Sequence, residues 1–139
     1  MSWLMSVAHT EAQVRDRSKT VTRRLGWRKL RPGHEVTLCP KVMGRRRRCP
    51  WCSASEGGRT RERCARCGWS GYVVDPLDRI VTVIVLSAFR EPLDLITPSD
   101  VVAEGFPDWT PEQFIDFYVR TFKVDREQEL TRIEWRYPA

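Results

Sequence analysis

Two tight cysteine pairs, Cys49-Pro-Trp-Cys52 and Cys64-Ala-Arg-Cys67, constrain this chain more than any other feature. They sit in a stretch from Arg45 to Gly71 that is rich in Arg, Gly, Ser and Cys and almost empty of aliphatic side chains. Such a segment cannot order itself by apolar burial and needs another source of structure. Two Cys-x-x-Cys knuckles separated by eleven residues supply four thiolates in the arrangement that suits tetrahedral zinc. Four sulfurs close the coordination shell, so the ion expected here is structural, one Zn2+ per chain, held by Cys49, Cys52, Cys64 and Cys67. A redox dithiol is the competing assignment for Cys49-Pro-Trp-Cys52. That motif opens a helix after a strand, whereas here it follows four arginines and has a second pair as partner. Cys39 stands outside the pattern and is expected as a buried thiol at a strand end.

Charge is distributed unevenly. The net +6 divides into +6 over residues 1–44, +6 over residues 45–70 and −6 over residues 71–139. Arginine outnumbers lysine by 20 to 4, which favours bidentate phosphate contact and stacking on bases. Arg45, Arg46, Arg47 and Arg48, with Trp51 and Trp69 nearby, interleave basic and aromatic side chains in the way that suits single-stranded nucleic acid. Arg17, Arg23 and Arg24 extend the basic set upstream. The expected partner is RNA, another single-stranded nucleic acid or a modified nucleoside. A solvated basic loop, with the two tryptophans merely packing the insert, accounts for the same composition.

No apolar run is long enough to cross a bilayer; the longest, Ile80–Leu86, is broken by Thr82. The first residues, MSWLMSVAHTEAQ, lack the basic and apolar regions of a secretory signal. A cytoplasmic protein with no membrane partner is therefore expected, a compartment in which paired cysteines serve metals more often than disulfides.

Outside the insert the chain reads as α+β. Strands are expected at Ser2–Ser6, around Lys19–Leu25, through Val36 and Leu38, and over Asp78–Phe89, where a near-continuous apolar run predicts burial on both faces. A short helix is expected over 8–16. Thr97-Pro98 and Thr110-Pro111 announce two further helices, the second with a capping box completed by Gln113. Phe114, Phe117, Tyr118 and Phe122 recur at helical spacing and are expected in the core. Ile133, Trp135 and Tyr137 alternate with Arg132, Glu134 and Arg136, the pattern of a half-buried last strand. The expected architecture is a small mixed β-barrel flanked by helices, formed by residues 1–44 and 72–139, with residues 45–71 as a zinc-knuckle insert. His9 and His34 have no acid or nucleophile in a recognisable pattern around them and are expected as ordinary surface or turn residues.

One further stretch carries chemistry. RSKTVTRRLGWRKLRPGHEV places Lys19, Thr22 and Arg24 in the order Lys-x-x-Thr-x-Arg, followed by a Pro-Gly turn and an acid. Downstream, Ala103-Glu104-Gly105-Phe106 precedes an aromatic helix. Together these resemble the ASCH domain, a branch of the PUA-like superfamily of nucleic-acid-associated barrels, over roughly residues 2–44 and 79–137. The family pattern has glycine where this chain has Arg17. The resemblance implies a PUA-like barrel and a polar cleft at Lys19, Thr22, Arg24 and Glu104. Family members include an amidohydrolase that acts on acetylcytidine with a Lys, Thr and Glu triad, which maps onto Lys19, Thr22 and Glu104. Three functions are thus expected in competition: binding of RNA or a modified nucleotide, hydrolysis of an acylated pyrimidine nucleoside (or of RNA), and an adaptor role through the zinc knob. If Lys19 and Thr22 are to act together, the chain must bend between them, because strand side chains alternate, so Lys19 is expected in a loop that leads into the strand. Lys19 would serve as a base only if desolvation or nearby cations favour its neutral form.

Overall fold

The computed structural model describes residues 3–42, 46–48, 72–74 and 77–139. The chain divides into two compact units, one of Met1–Pro40 with Arg79–Ala139 and the other of Lys41–Asp78.

The first unit is α+β. Strand β1 (Trp3–Ser6) leads into a 3-10 turn (Ala8–Thr10) and helix α1 (Glu11–Arg15). Strands β2 (Val21–Arg24) and β3 (Glu35–Cys39) follow. After the second unit come β6 (Val81–Pro92), a 3-10 turn (Leu93–Leu95), α2 (Pro98–Ala103), α3 (Pro111–Phe122) and β7 (Glu129–Arg136). The second unit contributes β4 (Arg46–Arg48) and β5 (Tyr72–Val74), which pair antiparallel with Arg48 opposite Tyr72.

Five strands form one mixed sheet in the order β1-β3-β6-β7-β2. β1 runs parallel to β3, and the other three pairings are antiparallel. Among the described residues no ladder joins β1 to β2, so these two strands are the sheet's edges. Gly33, with φ +90°, supplies the left-handed residue of the Pro-Gly turn that feeds β3.

The expectation that β6 is buried on both faces is corrected. Val83 and Val85 are buried, but Leu86 and Phe89 are 46% and 47% exposed. The register shifts between Val85 and Ser87. One extra residue there moves the inward-facing set from odd to even numbers, so Ala88 packs on the core and Phe89 turns outward beneath the Arg132 guanidinium. A run of apolar residues in sequence thus spans two registers of a one-sided strand.

The expected helix over 8–16 is also split, into the 3-10 turn and a five-residue α1. The two later helices start where their caps direct. Thr97 Oγ1 accepts from Asp100 N–H, and Thr110 with Gln113 makes a reciprocal capping box. α3 ends at Lys123 in the left-handed conformation.

Apolar burial falls into two clusters. Met5, Val36, Leu38, Val83, Val85, Ile133 and Trp135 fill one face of the sheet together with Val14 of α1. Leu93, Ile96, Val101, Phe114, Ile115, Tyr118 and Leu130 form the second, beneath α2 and α3. Cys39 is fully buried at the end of β3.

Candidate functional site

The segment between α1 and β2 turns at Asp16 and Arg17 and is heavily tied down. Lys19 N–H donates to Gln13 O, Thr20 N–H donates to Ala103 O at 2.8 Å, and Trp135 N–H donates to Thr20 O at 3.0 Å. The Lys19 carbonyl accepts from Trp135 Nε1 at 3.2 Å and from the Tyr137 hydroxyl. Helix α2, β7 and the C-terminal residues therefore all fix one short peptide stretch. Arg17, just before it, adopts φ +65°, the left-handed region in which glycine is at ease. Its guanidinium donates to Pro138 O at 2.8 Å and lies over the Tyr137 ring, contacts that offset the conformational cost.

This route turns Lys19 inward. Its ammonium is buried and donates to Glu104 Oε2 and to Glu104 O, both at 2.8 Å. Glu104 caps the C-terminal end of α2. Gly105 follows with φ +103°, and a β-carbon there would stand 2.8 Å from Gln13 Cγ. Glycine is thus required immediately after the carboxylate that faces Lys19.

A cavity of about 300 Å3 opens over this pair. Its polar lining comes from Lys19, Thr22, Arg23, Arg24, Glu104 and the Ser6–Thr10 turn; Phe106 and α3 residues Phe114, Phe117, Tyr118 and Phe122 make the aromatic wall. Lys19, Thr22, Arg24 and Glu104, distant in sequence, are brought to one place. Lys19 precedes β2, in the loop that joint action with Thr22 requires.

Arg24 Nε donates to Thr22 Oγ1 at 3.3 Å, and its Nη2 donates to Ser6 O at 2.7 Å, which links the two sheet edges. Arg23 is different. Its side chain is wholly buried and paired with Glu91, with Asp100 at 2.6 Å and with Glu104 at 3.4 Å. Arg23, expected as a nucleic-acid contact, lines the cavity while its guanidinium is engaged by this carboxylate cluster. Arg17 is absent from the cavity lining. Arg46, Arg47 and Arg48 form β4, while Arg45, Trp51, Trp69, Cys49, Cys52, Cys64 and Cys67 lie outside the described residues. Among the described residues no cluster of His, Cys, Asp and Glu suits a metal.

Burial pushes the Lys19 ammonium below its usual pKa, against the opposing pull of the Glu104 carboxylate; Arg24 and Arg23 add to the downward push. Burial raises the Tyr118 phenol to about 12, so it stays protonated and donates to Arg23 O at 3.0 Å. Asp100 is held at about 2, chiefly by hydrogen bonding from Arg132 and then from Arg23. Its folded pKa lies below the ordinary 3.8, so its stabilising effect is complete above pH 4 and is lost as pH falls through 2. With the side chain 15% exposed and partly screened, the effect is about 1–2 kcal/mol. Urea unfolding at pH 5 and pH 2 should show wild type losing about that much more stability than Asp100→Asn.

Sequence patterning missed the aromatic wall. Phe114 and Tyr118 are buried in the core as expected, yet Phe117 and Phe122 also face the cavity, and Phe122 is 37% exposed. The available signal was an aromatic stripe wider than one buried face requires. His9 was expected as an ordinary surface residue. It is exposed, but it stands at the cavity with Phe117 and Phe122 edge-on to its ring. His34 is a turn residue, its Nδ1 accepting from Arg31 N–H. No family model, curated protein or solved structure matches this chain.

Proposed function

We propose that the first unit is an ASCH-type, PUA-like domain that binds one modified base, as a nucleotide or nucleoside or as part of an RNA, in the cavity above Lys19 and Glu104. The observation that carries this reading is the convergence of Lys19, Thr22, Arg24 and Glu104 beneath an aromatic wall. A volume of about 300 Å3 lies at the small end of ligand sites and suits a single ring system with its substituents. Aromatic faces stack on such a ring, while the buried donors and carboxylate read its polar edge. The left-handed Arg17 adds support, since it gives the loop before Lys19 the backbone conformation open to the glycine of the family pattern.

A second reading, hydrolysis of an acylated pyrimidine nucleoside, is favoured by the polarisation of Thr22. Arg24 donates to Thr22 Oγ1 and would stabilise negative charge on it as its proton leaves. The depressed pKa of Lys19 makes its neutral form more accessible as proton acceptor, and Glu104 orients it. In this scheme Lys19 takes the Thr22 proton as Oγ1 attacks the acyl carbon, the same proton passes to the departing cytosine N4 amine, and water then cleaves the Thr22 ester to acetate and restores the Thr22 hydroxyl.

A panel of acylated and otherwise modified nucleosides, assayed for both binding and acid release, separates these readings. Binding that survives in Thr22→Ala without turnover in wild type identifies a reader. Acetate release that Lys19→Ala and Thr22→Ala both abolish, while the fold is retained, identifies an amidohydrolase. No binding and no turnover across the panel removes both.

For the second unit we propose a structural zinc held by Cys49, Cys52, Cys64 and Cys67. The donor set fits: four thiolates in two knuckles, within a segment whose two ends are drawn together by the Arg48–Tyr72 pairing of β4 and β5. Elemental analysis should return one zinc per chain, and a folded, zinc-free preparation would refute the assignment. The arginines and tryptophans of this segment are proposed to contact single-stranded nucleic acid.

A further inference from the structure

The cations around the cavity are not all directly paired. Lys19 and Glu104 neutralise each other at 2.8 Å. Arg23 is matched by Glu91 and Asp100 and also reaches Glu104, while Arg132 pairs with Asp100 and Glu134. Arg24 is left over. Among the described residues it forms no ion pair; its two hydrogen bonds end on neutral oxygens, Thr22 Oγ1 and Ser6 O. A guanidinium carries five N–H donors, so three remain unspent on a side chain that lines the cavity. Burial pushes half-buried Arg24 below its ordinary pKa, against a partial pull from the Glu104 carboxylate, with which it makes no direct ion pair.

The unspent donors of such a group can be completed by an anionic ligand. An arginine fork matches phosphate or carboxylate oxygens through two parallel N–H bonds. The two bonds to Thr22 and Ser6 fix the plane of the fork before any ligand arrives, which lowers the ordering cost of binding. We propose that the cavity's occupant is an anion, a base joined to a phosphate monoester as in a nucleoside 5′-monophosphate, with the phosphate taken by Arg24 and the ring by the aromatic wall. This rests on the base-binding reading above and narrows it from nucleosides in general to nucleotides.

The test is a matched pair of probes: N4-acetylcytidine and its 5′-monophosphate, titrated calorimetrically at low and high salt, with inorganic phosphate as a third arm. The monophosphate should bind at least tenfold tighter than the nucleoside, with the advantage shrinking as salt rises, and Arg24→Gln should bring the ratio close to one. Inorganic phosphate alone should bind far more weakly than the monophosphate; equal binding would make the site one for free phosphate and overturn the proposal. Equal affinity of wild type for nucleoside and monophosphate would overturn it while leaving the base-binding reading intact. A ratio that persists in Arg24→Gln would also overturn it, because another group would then hold the phosphate. Failure of every nucleoside and nucleotide to bind would remove both. If Arg24→Gln does not fold, Arg24→Lys, which keeps the charge but loses the fork, should lower the ratio while leaving it above one and salt-dependent, and an unchanged ratio there would overturn the proposal.

Discussion

Glu104→Ala should cost the first unit about 3–5 kcal/mol, the largest loss expected from any single polar substitution in it. The carboxylate accepts from Lys19 at 2.8 Å and from Arg23 at 3.4 Å, and all three side chains are buried. Removing it leaves an ammonium without its counter-charge in a low-dielectric setting, where solvation cannot make up the difference. Arg23 retains Glu91 and Asp100, so the stranded charge is that of Lys19. The pair itself is a different matter, because burying two ions costs nearly as much as their attraction returns. The double variant Lys19→Met/Glu104→Leu should therefore recover most of the stability that Glu104→Ala loses, while abolishing the proposed binding of a modified nucleotide. Denaturant unfolding of the single and double variants measures both quantities. A loss below about 1 kcal/mol for Glu104→Ala would show that water reaches Lys19 and that the pair is not dry.

Trp135→Ala should be comparably severe, about 3–5 kcal/mol, for another reason. Trp135 is 2% exposed and packs among Met5, Val36, Val83 and Ile133 on the sheet face. Truncation removes the largest fully buried side chain described and leaves a void that rigid strands fill poorly. The indole also donates to Lys19 O, so the residue couples the core to the cavity floor. Trp135→Phe separates the two roles. It keeps most of the volume, loses the hydrogen bond, and should cost about 1–2 kcal/mol. Tyr137 still holds the same carbonyl, so ligand affinity in Trp135→Phe should fall only modestly. Full loss of binding in that variant at near-native stability would mean that the indole bond alone positions Lys19.

Particular residues show how far sequence reasoning reaches. The helix starts at Thr97 and Thr110 were legible because capping chemistry is local: a hydroxyl, a proline and, three residues after the hydroxyl, Asp100 in one case and Gln113 in the other suffice. The last strand was legible because Ile133, Trp135 and Tyr137 alternate without interruption. β6 was misread because its bulge changes which parity faces inward, and nothing in an apolar run marks where one extra residue is absorbed. The need for Lys19 to lie outside the strand followed from alternation alone. The partners of Arg23 did not, since Glu91, Asp100 and Glu104 come from β6, from α2 and from the end of α2. Pairing over such separations depends on topology, and β2 reaches those elements only by joining the sheet beside β7. The cavity's aromatic wall was hidden for a related reason. One helix face serves two clients, and period alone cannot tell a ring that packs on Leu130 from one that borders an opening.

The ladder between β3 and β6 carries a last consequence. Leu38 pairs with Val81, and Ile80 N–H donates to Leu38 O at 2.9 Å, so the excursion through Lys41–Asp78 leaves and rejoins one hairpin at adjacent rungs. Closing a longer connection costs little, about 0.6 kcal/mol for each doubling of its length. A graft at that point is thus thermodynamically cheap for the sheet, whatever its contents. The segment Lys41–Asp78 should therefore tolerate shortening, lengthening or replacement with little direct effect on the pairing of β3 with β6.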